Sequence, residues 1–132
     1  MQKDEKRIAL ILVDHGSRFA EANDMLFEVI RMVKDLCGVE RIYPAHMELA
    51  EPSIPQAFAQ AVREGATAVV VHPYFLAPGR HSTTDIPRMV EEAAKAFPGV
   101  EHCVTPPLGV HPKIGEVVLE RVGLSPAAKV GI

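Results

Sequence analysis

The chain has 132 residues, of which 48% are apolar and 23% charged, and its formal net charge is −3 at pH 7. This length predicts one domain over 1–132, and the slight negative charge gives no electrostatic support for a nucleic-acid partner. No apolar run approaches the ~20 residues of a membrane helix, and the charged N-terminus does not resemble a signal peptide. We therefore expect a cytoplasmic protein that binds neither nucleic acid nor membrane.

Apolar runs alternate with segments of helical periodicity along the chain. The first run, Arg7 to Asp14, is almost unbroken, which is typical of a parallel strand covered on both faces. In the helix that follows, Met25, Val29, Met32, Val33 and Leu36 predict the apolar face. We expect four strands, over 7–14, 41–47, 67–75 and 100–105. We expect four helices: one over 20–36, one from Ser53 to Gly65, one capped by Thr84 or Asp85 and ended by Pro98-Gly99, and one over 112–122. A loop over 76–84 and a turn over 106–109 complete the chain order.

This β-α-β-α-β-α-β-α order predicts an α/β fold with right-handed crossovers. We expect a four-stranded parallel sheet of order 2-1-3-4 with helices on both faces, a core over 7–122 and a C-terminal tail over 123–132. In this order the connections leave the first strand in opposite directions. Ligands of such sheets bind at this switch point, beyond the carboxyl ends of the strands.

Two histidines follow the two central strands at this predicted edge. His15 lies in Asp14-His15-Gly16-Ser17-Arg18, and His81 ends Pro78-Gly79-Arg80-His81. Two neutral imidazoles can bind a divalent transition metal and leave coordination positions open. The sequence therefore predicts that His15 and His81 share an open metal site.

The remaining histidines and the cysteines are weaker candidates. His46 and His72 lie within strands and are expected to be hydrogen-bonded there, with a supporting role toward a ligand as the alternative. His102 is expected to be exposed on the edge strand, and His111 can reach the same edge of the sheet as His15. We expect Cys37 and Cys103 to be buried thiols.

Two carboxylates, Glu48 and Glu51, follow the second strand at the same edge. Each can accept protons or bind a substrate N–H group, although Glu51 also suits the charge of a helix N-terminus. An acidic ligand would have to be met by nearby cations, of which Arg18 and Arg80 flank the two histidines. Apolar residues precede His81 and predict a wall for a flat hydrophobic ligand; they are Phe75, Leu76, Ala77 and Pro78.

Taken together, several motifs resemble the short form of the sirohydrochlorin chelatases, the class II chelatases of the cobalt, iron and nickel branches of tetrapyrrole synthesis. They are His-Gly-Ser-Arg at 15–18, Ala-His-Met-Glu-Leu-Ala-Glu-Pro-Ser-Ile-Pro at 45–55, Pro-Tyr-Phe-Leu-Ala-Pro-Gly-Arg-His at 73–81, Thr-Asp-Ile-Pro at 84–87 and Pro-Pro-Leu-Gly at 106–109. The resemblance implies an enzyme that inserts Fe²⁺, Co²⁺ or Ni²⁺ into sirohydrochlorin, an octacarboxylate macrocycle. The metal is then a substrate, and no permanently bound cofactor is implied.

The resemblance also implies roles for individual residues. His15 is implied as metal ligand and proton acceptor and His81 as the second metal ligand. From the chemistry of insertion, which removes two pyrrole N–H protons, we expect Glu48 or Glu51 to take up protons. The implied substrate contacts are Glu51, Leu76, Ala77, Pro78, Gly79, Arg80 and His81, and the charge argument adds Arg18. Because long members of the family contain two such units, a short chain is implied to pair as a homodimer.

Two other functions compete with chelation. A strand followed by His-Gly is also found in histidine phosphatases, but these need an Arg directly before the His, whereas Asp14 would repel phosphate. A carrier of metal or tetrapyrrole without catalytic activity would have the same site, and the sequence does not separate it from an enzyme.

Overall fold

The computed structural model describes residues 6–77, 79 and 81–126. Its strands are β1 (Ile8–Asp14), β2 (Ile42–His46), β3 (Ala68–Pro73) and β4 (Glu101–Val104). Its helices are α1 (Ala20–Cys37), α2 (Ile54–Arg63), α3 (Ile86–Ala94) and α4 (Pro112–Val122), and a π-helical turn over His81–Asp85 precedes α3. None of the helices within the described ranges is long and apolar enough to span a membrane.

The four strands form one parallel sheet in the order β2-β1-β3-β4, which confirms the predicted order. β1 is central and pairs with β2 along one side and with β3 along the other. The connections after β1 and β3 therefore start at neighbouring points of one edge. This edge is where the sequence places His15 and His81.

The sheet separates two apolar clusters of unequal size. The larger cluster lies between the sheet and helices α2 and α3, and its fully buried members include Ile11, Val13, Phe58, Val69, Val71 and Ile86. The smaller cluster lies on the α1 side and contains the buried residues Leu12, Leu26, Ile30 and Ile42. Helices therefore lie on both faces of the sheet, as predicted, but α4 has no buried residue.

Local sequence signals explain where several helices begin and end. Ser53 accepts a hydrogen bond from the backbone N–H of Gln56, whose side chain accepts one from the Ser53 N–H, so that a capping box opens α2. Gly38 ends α1 in the left-handed conformation, at φ 77°, which glycine adopts without steric cost.

The α1 face differs from the prediction by about one residue. Leu26 and Ile30 are the buried residues, and Val29 and Val33 are partly buried, whereas Met25, Met32 and Leu36 are exposed. The predicted spacing is helical, but α1 packs against β2, where Leu26 and Ile30 contact the cluster that contains Ile42, so the buried face is displaced by one residue from the predicted one. Met32 instead faces a groove beside α4.

Three further expectations differ from the structure. Both cysteines are exposed, Cys37 because it occupies the last position of α1 and Cys103 because edge strand β4 is poorly covered. The end of the predicted loop, over His81–Asp85, is a π-helical turn. Asp85 occupies the N-cap position of α3, as one of the two predicted caps, but it has helical dihedral angles and makes no side-chain cap. α3 itself ends at Ala94, before the Pro98-Gly99 signal.

Candidate functional site

The site is built around His15, the first residue after β1. Its side chain is exposed, and its ring stacks on Phe75, with 4.3 Å between ring centroids and 30° between planes. Phe75 lies just after β3, so the connections that follow the two central strands meet at this edge, as the topology predicts. The apolar ring holds the imidazole from one side and restricts its orientation.

The connection after β2 is hydrogen-bonded to the same segment. Met47 N–H donates to the Asp14 carbonyl oxygen at 2.9 Å, and Glu48 N–H donates to the His15 carbonyl oxygen at 3.1 Å. The β1–β2 pairing thus continues past the last residues of both strands. It places His15 and Glu48 beside each other, both exposed to solvent.

Gly16 makes this close approach possible. Its φ is +91°, and a Cβ built on it would lie 1.9 Å from the Glu48 carbonyl oxygen and 3.1 Å from the His46 Cβ. No other residue type fits this position without moving the connection after β2. The glycine of the His-Gly motif is therefore required for both its backbone angle and its missing side chain.

Sequence reasoning missed Asn23, in the first turns of α1. Its Oδ1 accepts from the Ser17 N–H at 2.9 Å, and its Nδ2 donates to the Ser17 carbonyl oxygen at 2.8 Å. The Ser17 hydroxyl in turn accepts from the Phe19 N–H at 3.0 Å. Asn23 thus ties the His15 loop to α1, and its place six residues after Ser17 could have suggested such a contact.

A buried polar pair lies beneath this loop. His46 Nδ1 is 2.5 Å from Asp14 Oδ1, and the His46 side chain is 1% exposed. The expectation that His46 is hydrogen-bonded within its strand is confirmed. Asp14 is its partner, which the sequence did not indicate.

His72 is also hydrogen-bonded within the sheet. The Thr105 hydroxyl donates to the Pro106 carbonyl oxygen, so the Nδ1–H of His72 donates to Thr105 Oγ1, at 2.9 Å. Burial lowers the pKa of His72 below its ordinary value of 6.5, an effect partly opposed by a hydrogen bond from the imidazole to the Pro106 backbone carbonyl. The two strand histidines therefore have structural partners.

The last two histidines, His102 and His111, have their own local partners. His111 caps α4, since its Nδ1 accepts from the Lys113 N–H at 3.1 Å. His102 is exposed on β4, as expected, with its Nε2 3.6 Å from Glu91. His111 therefore caps a helix, and its predicted reach toward the site stays a prediction.

The predicted substrate contacts fall into two groups. Arg18, Glu51, Leu76, Ala77 and Gly79 are all exposed in connections at the carboxyl edge of the sheet. Pro78, Arg80 and the His81 side chain lie outside the described part of the structure, so the shared site of His15 and His81 stays a prediction. The apolar wall is anchored to the turn after β4, because Leu108 and Gly109 donate backbone hydrogen bonds to Phe75 and Leu76.

Within the described residues, no three His, Cys, Asp or Glu side chains cluster closely enough to form a metal cage. The exposed donors at this edge are the His15 imidazole and the Glu48 and Glu51 carboxylates. Imidazole and carboxylate groups are ligands that suit iron, cobalt and nickel alike.

The family model CbiX matches residues 9–124, almost the whole described chain. This chain belongs to the CbiX family. It is 51% identical over 113 residues to the chloroplastic sirohydrochlorin ferrochelatase of Arabidopsis thaliana, and the match covers 86% of this chain and 50% of the plant protein. It is 31% identical to the sirohydrochlorin cobaltochelatase of Methanococcus maripaludis, with 86% of this chain and 96% of that protein covered.

A solved structure shows the same fold. The sirohydrochlorin chelatase SirB from Bacillus subtilis subspecies spizizenii, in complex with cobalt, matches with a TM-score of 0.82 at 27% identity. The match covers 89% of this chain and 50% of SirB. The chain therefore spans about half the length of the plant and Bacillus relatives and nearly all of the methanogen enzyme. These findings confirm the family resemblance and the fold class.

Substituting Gly16 tests the close approach of the two connections. Gly16→Ala should destabilise the protein by at least about 1–3 kcal/mol, because the residue has positive φ and its Cβ would overlap the Glu48 carbonyl. Urea denaturation measures this, with Gly99→Ala as the matched control, since a Cβ there meets open space. Equal losses for the two variants would contradict the predicted contact.

The depressed pKa of His72 predicts a pH-dependent stability. In the native state His72 stays neutral below its ordinary pKa of 6.5, whereas the unfolded chain takes up the proton there. Its contribution is therefore complete above 6.5 and is lost as the pH falls through the native pKa. Between about pH 7.5 and 5.5, the free energy of unfolding of His72→Asn should fall less steeply than that of the wild type. Parallel curves would contradict the assignment.

Proposed function

We propose that this protein is a sirohydrochlorin chelatase that inserts a divalent metal ion into the macrocycle. The observation that carries this proposal is the backbone hydrogen bond between His15 and Glu48 at an open sheet edge. It places a metal ligand next to a proton acceptor. The names of the curated relatives support the same reaction. The metal is a substrate here, and iron and cobalt are named for these relatives.

The exchange chemistry fits the residues of the edge. Insertion forms bonds between the metal and the pyrrole nitrogens and releases two N–H protons. The His15 imidazole binds the incoming metal and, once the metal has passed to the macrocycle, accepts one of the two protons. Glu48 accepts the other proton, with Glu51 as the alternative acceptor. Few protein ligands keep the metal transferable, whereas a closed four-ligand cage would retain it.

The loops around His15 are proposed to hold the macrocycle. The apolar residues after β3 form a surface against which a flat ring can lie, beginning at Phe75 and continuing through Leu76 and Ala77. Arg18 and Arg80 are proposed to bind carboxylates of the macrocycle, and His81 to be the second metal ligand. A net charge of −3 makes such local cations necessary, because the protein as a whole repels an acidic ligand. We propose a cytoplasmic location, where free thiols such as Cys37 and Cys103 stay reduced.

The site is proposed to work in a homodimer of the same chain. The apolar groove of about 410 Å³ between α1 and α4 supports this, with Leu10, Leu12, Val29, Met32, Val33 and Ile114 among its lining residues. α4 buries none of its residues within the described chain, and Val117, Val118 and Val122 are exposed on it. A second copy would cover this face.

Anaerobic spectrophotometry of sirohydrochlorin with Fe²⁺, Co²⁺ and Ni²⁺ in turn tests the proposed reaction. We expect the wild type to convert the free macrocycle to the metal complex, and His15→Ala to lower kcat by about 100-fold or more, as for loss of a metal ligand that also accepts protons. Glu48→Gln should lower kcat more than it raises KM. His102→Gln, on the far strand β4, is the control and should retain wild-type kcat. A wild type that binds the macrocycle but accelerates insertion of none of the three metals is a carrier.

Light scattering at micromolar concentration tests the dimer. The wild type should have twice the mass of one chain, and Met32→Glu should shift it to the monomer by placing a charge in the groove. Lys95→Glu, on the opposite face of the sheet, is the charge-changing control and should stay dimeric. A monomeric wild type would refute the dimer, and a dimeric Met32→Glu would place the interface elsewhere.

A further inference from the structure

The polar pair beneath the His15 loop is not needed to hold the sheet together. Asp14 and His46 are register partners at the last rung of the β1–β2 pairing, and both side chains point to the α1 side. Asp14 Oδ1 and His46 Nδ1 are 2.5 Å apart, with His46 buried and Asp14 about one quarter exposed, at 23%. An apolar pair would fill this rung without the cost of removing polar groups from water.

The pair fixes the orientation of the two strand ends relative to each other. A carboxylate only accepts hydrogen bonds, so the hydrogen on His46 Nδ1 points at Asp14 Oδ1. Such a bond is short and geometrically narrow, and it fixes one strand end relative to the other more closely than apolar contact does. Removing Asp14 leaves the Nδ1–H of the buried His46 without its partner.

The two residues adjoin the two reacting groups. Asp14 precedes His15 directly, and His46 lies two residues before Glu48. The backbone bonds Met47 N–H to Asp14 and Glu48 N–H to His15 follow the side-chain pair along the same strands. Gly16 rests on the His46 side chain, at a distance where a Cβ would be 3.1 Å from the His46 Cβ. The pair is therefore in direct backbone or van der Waals contact with the segments that carry His15 and Glu48.

We propose that Asp14 and His46 are positioning residues of the chelation reaction. Their hydrogen bond holds the His15 and Glu48 segments in register, so that the metal ligand and the proton acceptor reach the same bound macrocycle. This inference rests on the proposed function, which the wild-type assay tests by itself. Neither residue is proposed to touch the metal or the macrocycle.

Two amide substitutions at position 46 separate positioning from a merely structural role. Asparagine can place its amide nitrogen where His46 Nδ1 lies and keep the bond to Asp14, whereas the glutamine amide reaches the position of Nε2 and loses it. The two side chains have similar polarity. We expect His46→Asn to retain kcat within about threefold of the wild type, and His46→Gln to lose about 10- to 100-fold, the usual cost of losing a partner that orients a ligand. KM for sirohydrochlorin should change less than twofold in both.

Substitutions at position 14 give the second arm. Asp14→Asn keeps an acceptor and should retain most of kcat, whereas Asp14→Ala should lose as much as His46→Gln. Because the two residues act as one unit, the double variant Asp14→Ala/His46→Gln should lose no more than either single variant. Tyr43→Phe is the matched control, since it breaks a bond of equal length, 2.5 Å from Tyr43 Oη to Glu64, at the start of β2 away from the site. It should leave kcat unchanged.

The outcomes separate the two proposals. A wild type that inserts no metal refutes the proposed function. With an active wild type, equal kcat for folded His46→Asn and His46→Gln refutes positioning. A double variant whose fold-loss in kcat equals the product of the two single fold-losses also refutes it. If Asp14→Ala does not fold, as judged by circular dichroism, the comparison of the two amides at position 46 still decides.

Discussion

The site depends on the continuation of the β1–β2 backbone pairing beyond the last residues of both strands. The connections after β1 and β2 lead to helices on opposite faces of the sheet. Here the carbonyl groups of Asp14 and His15 accept bonds from Met47 and Glu48. The relative position of the His15 and Glu48 backbones is therefore set at the end of the sheet, by these backbone bonds and by the Asp14–His46 pair that precedes them.

This arrangement explains why rigid and exposed features coincide at one edge. The backbones of His15 and Glu48 are fixed, but their side chains lie in solvent, where a metal and a large macrocycle can reach them. Phe75 limits the His15 ring from one side, and Asn23 holds the following turn against α1. Loops that are mounted on a fixed scaffold in this way can carry chemistry without a buried pocket.

The unequal packing of the two sheet faces gives the site its surroundings. The face toward α2 and α3 contains the main core and supplies most of the apolar burial. The face toward α1 carries Asp14, His46 and His72, and beyond them the open groove beside α4. Because the polar support of the site and the groove share one face, a second copy docked there would lie next to the connections that bear His15 and Ser17.

Periodicity and end signals in the sequence were sufficient for the element order, the sheet order and the edge at which His15 lies. The α/β alternation leaves few topologies, and the His-Gly turn after a buried strand is a local signal. Contacts that depend on register were not accessible: the Asp14–His46 pair requires knowing that these two positions are opposite each other, and nothing in either motif states it. The same reason explains the α1 face, where a shift of one residue in the packing leaves the spacing helical but exposes Met25 and Met32.

The predictions of buried cysteines and of a side-chain cap on α3 failed for a different physical reason. Burial of a thiol depends on how well the neighbouring layer covers its strand, and β4 is an edge strand with little cover. Before α3, the π-helical turn takes up residues that would otherwise form a cap, so Asp85 continues helical geometry instead of ending a loop. Cys37 is exposed because α1 ends there, so these features depend on tertiary packing and on where each element ends. By contrast, the position of His15 follows from the sheet order alone, since any chain that places β1 between β2 and β3 must bring its first connection to the switch point.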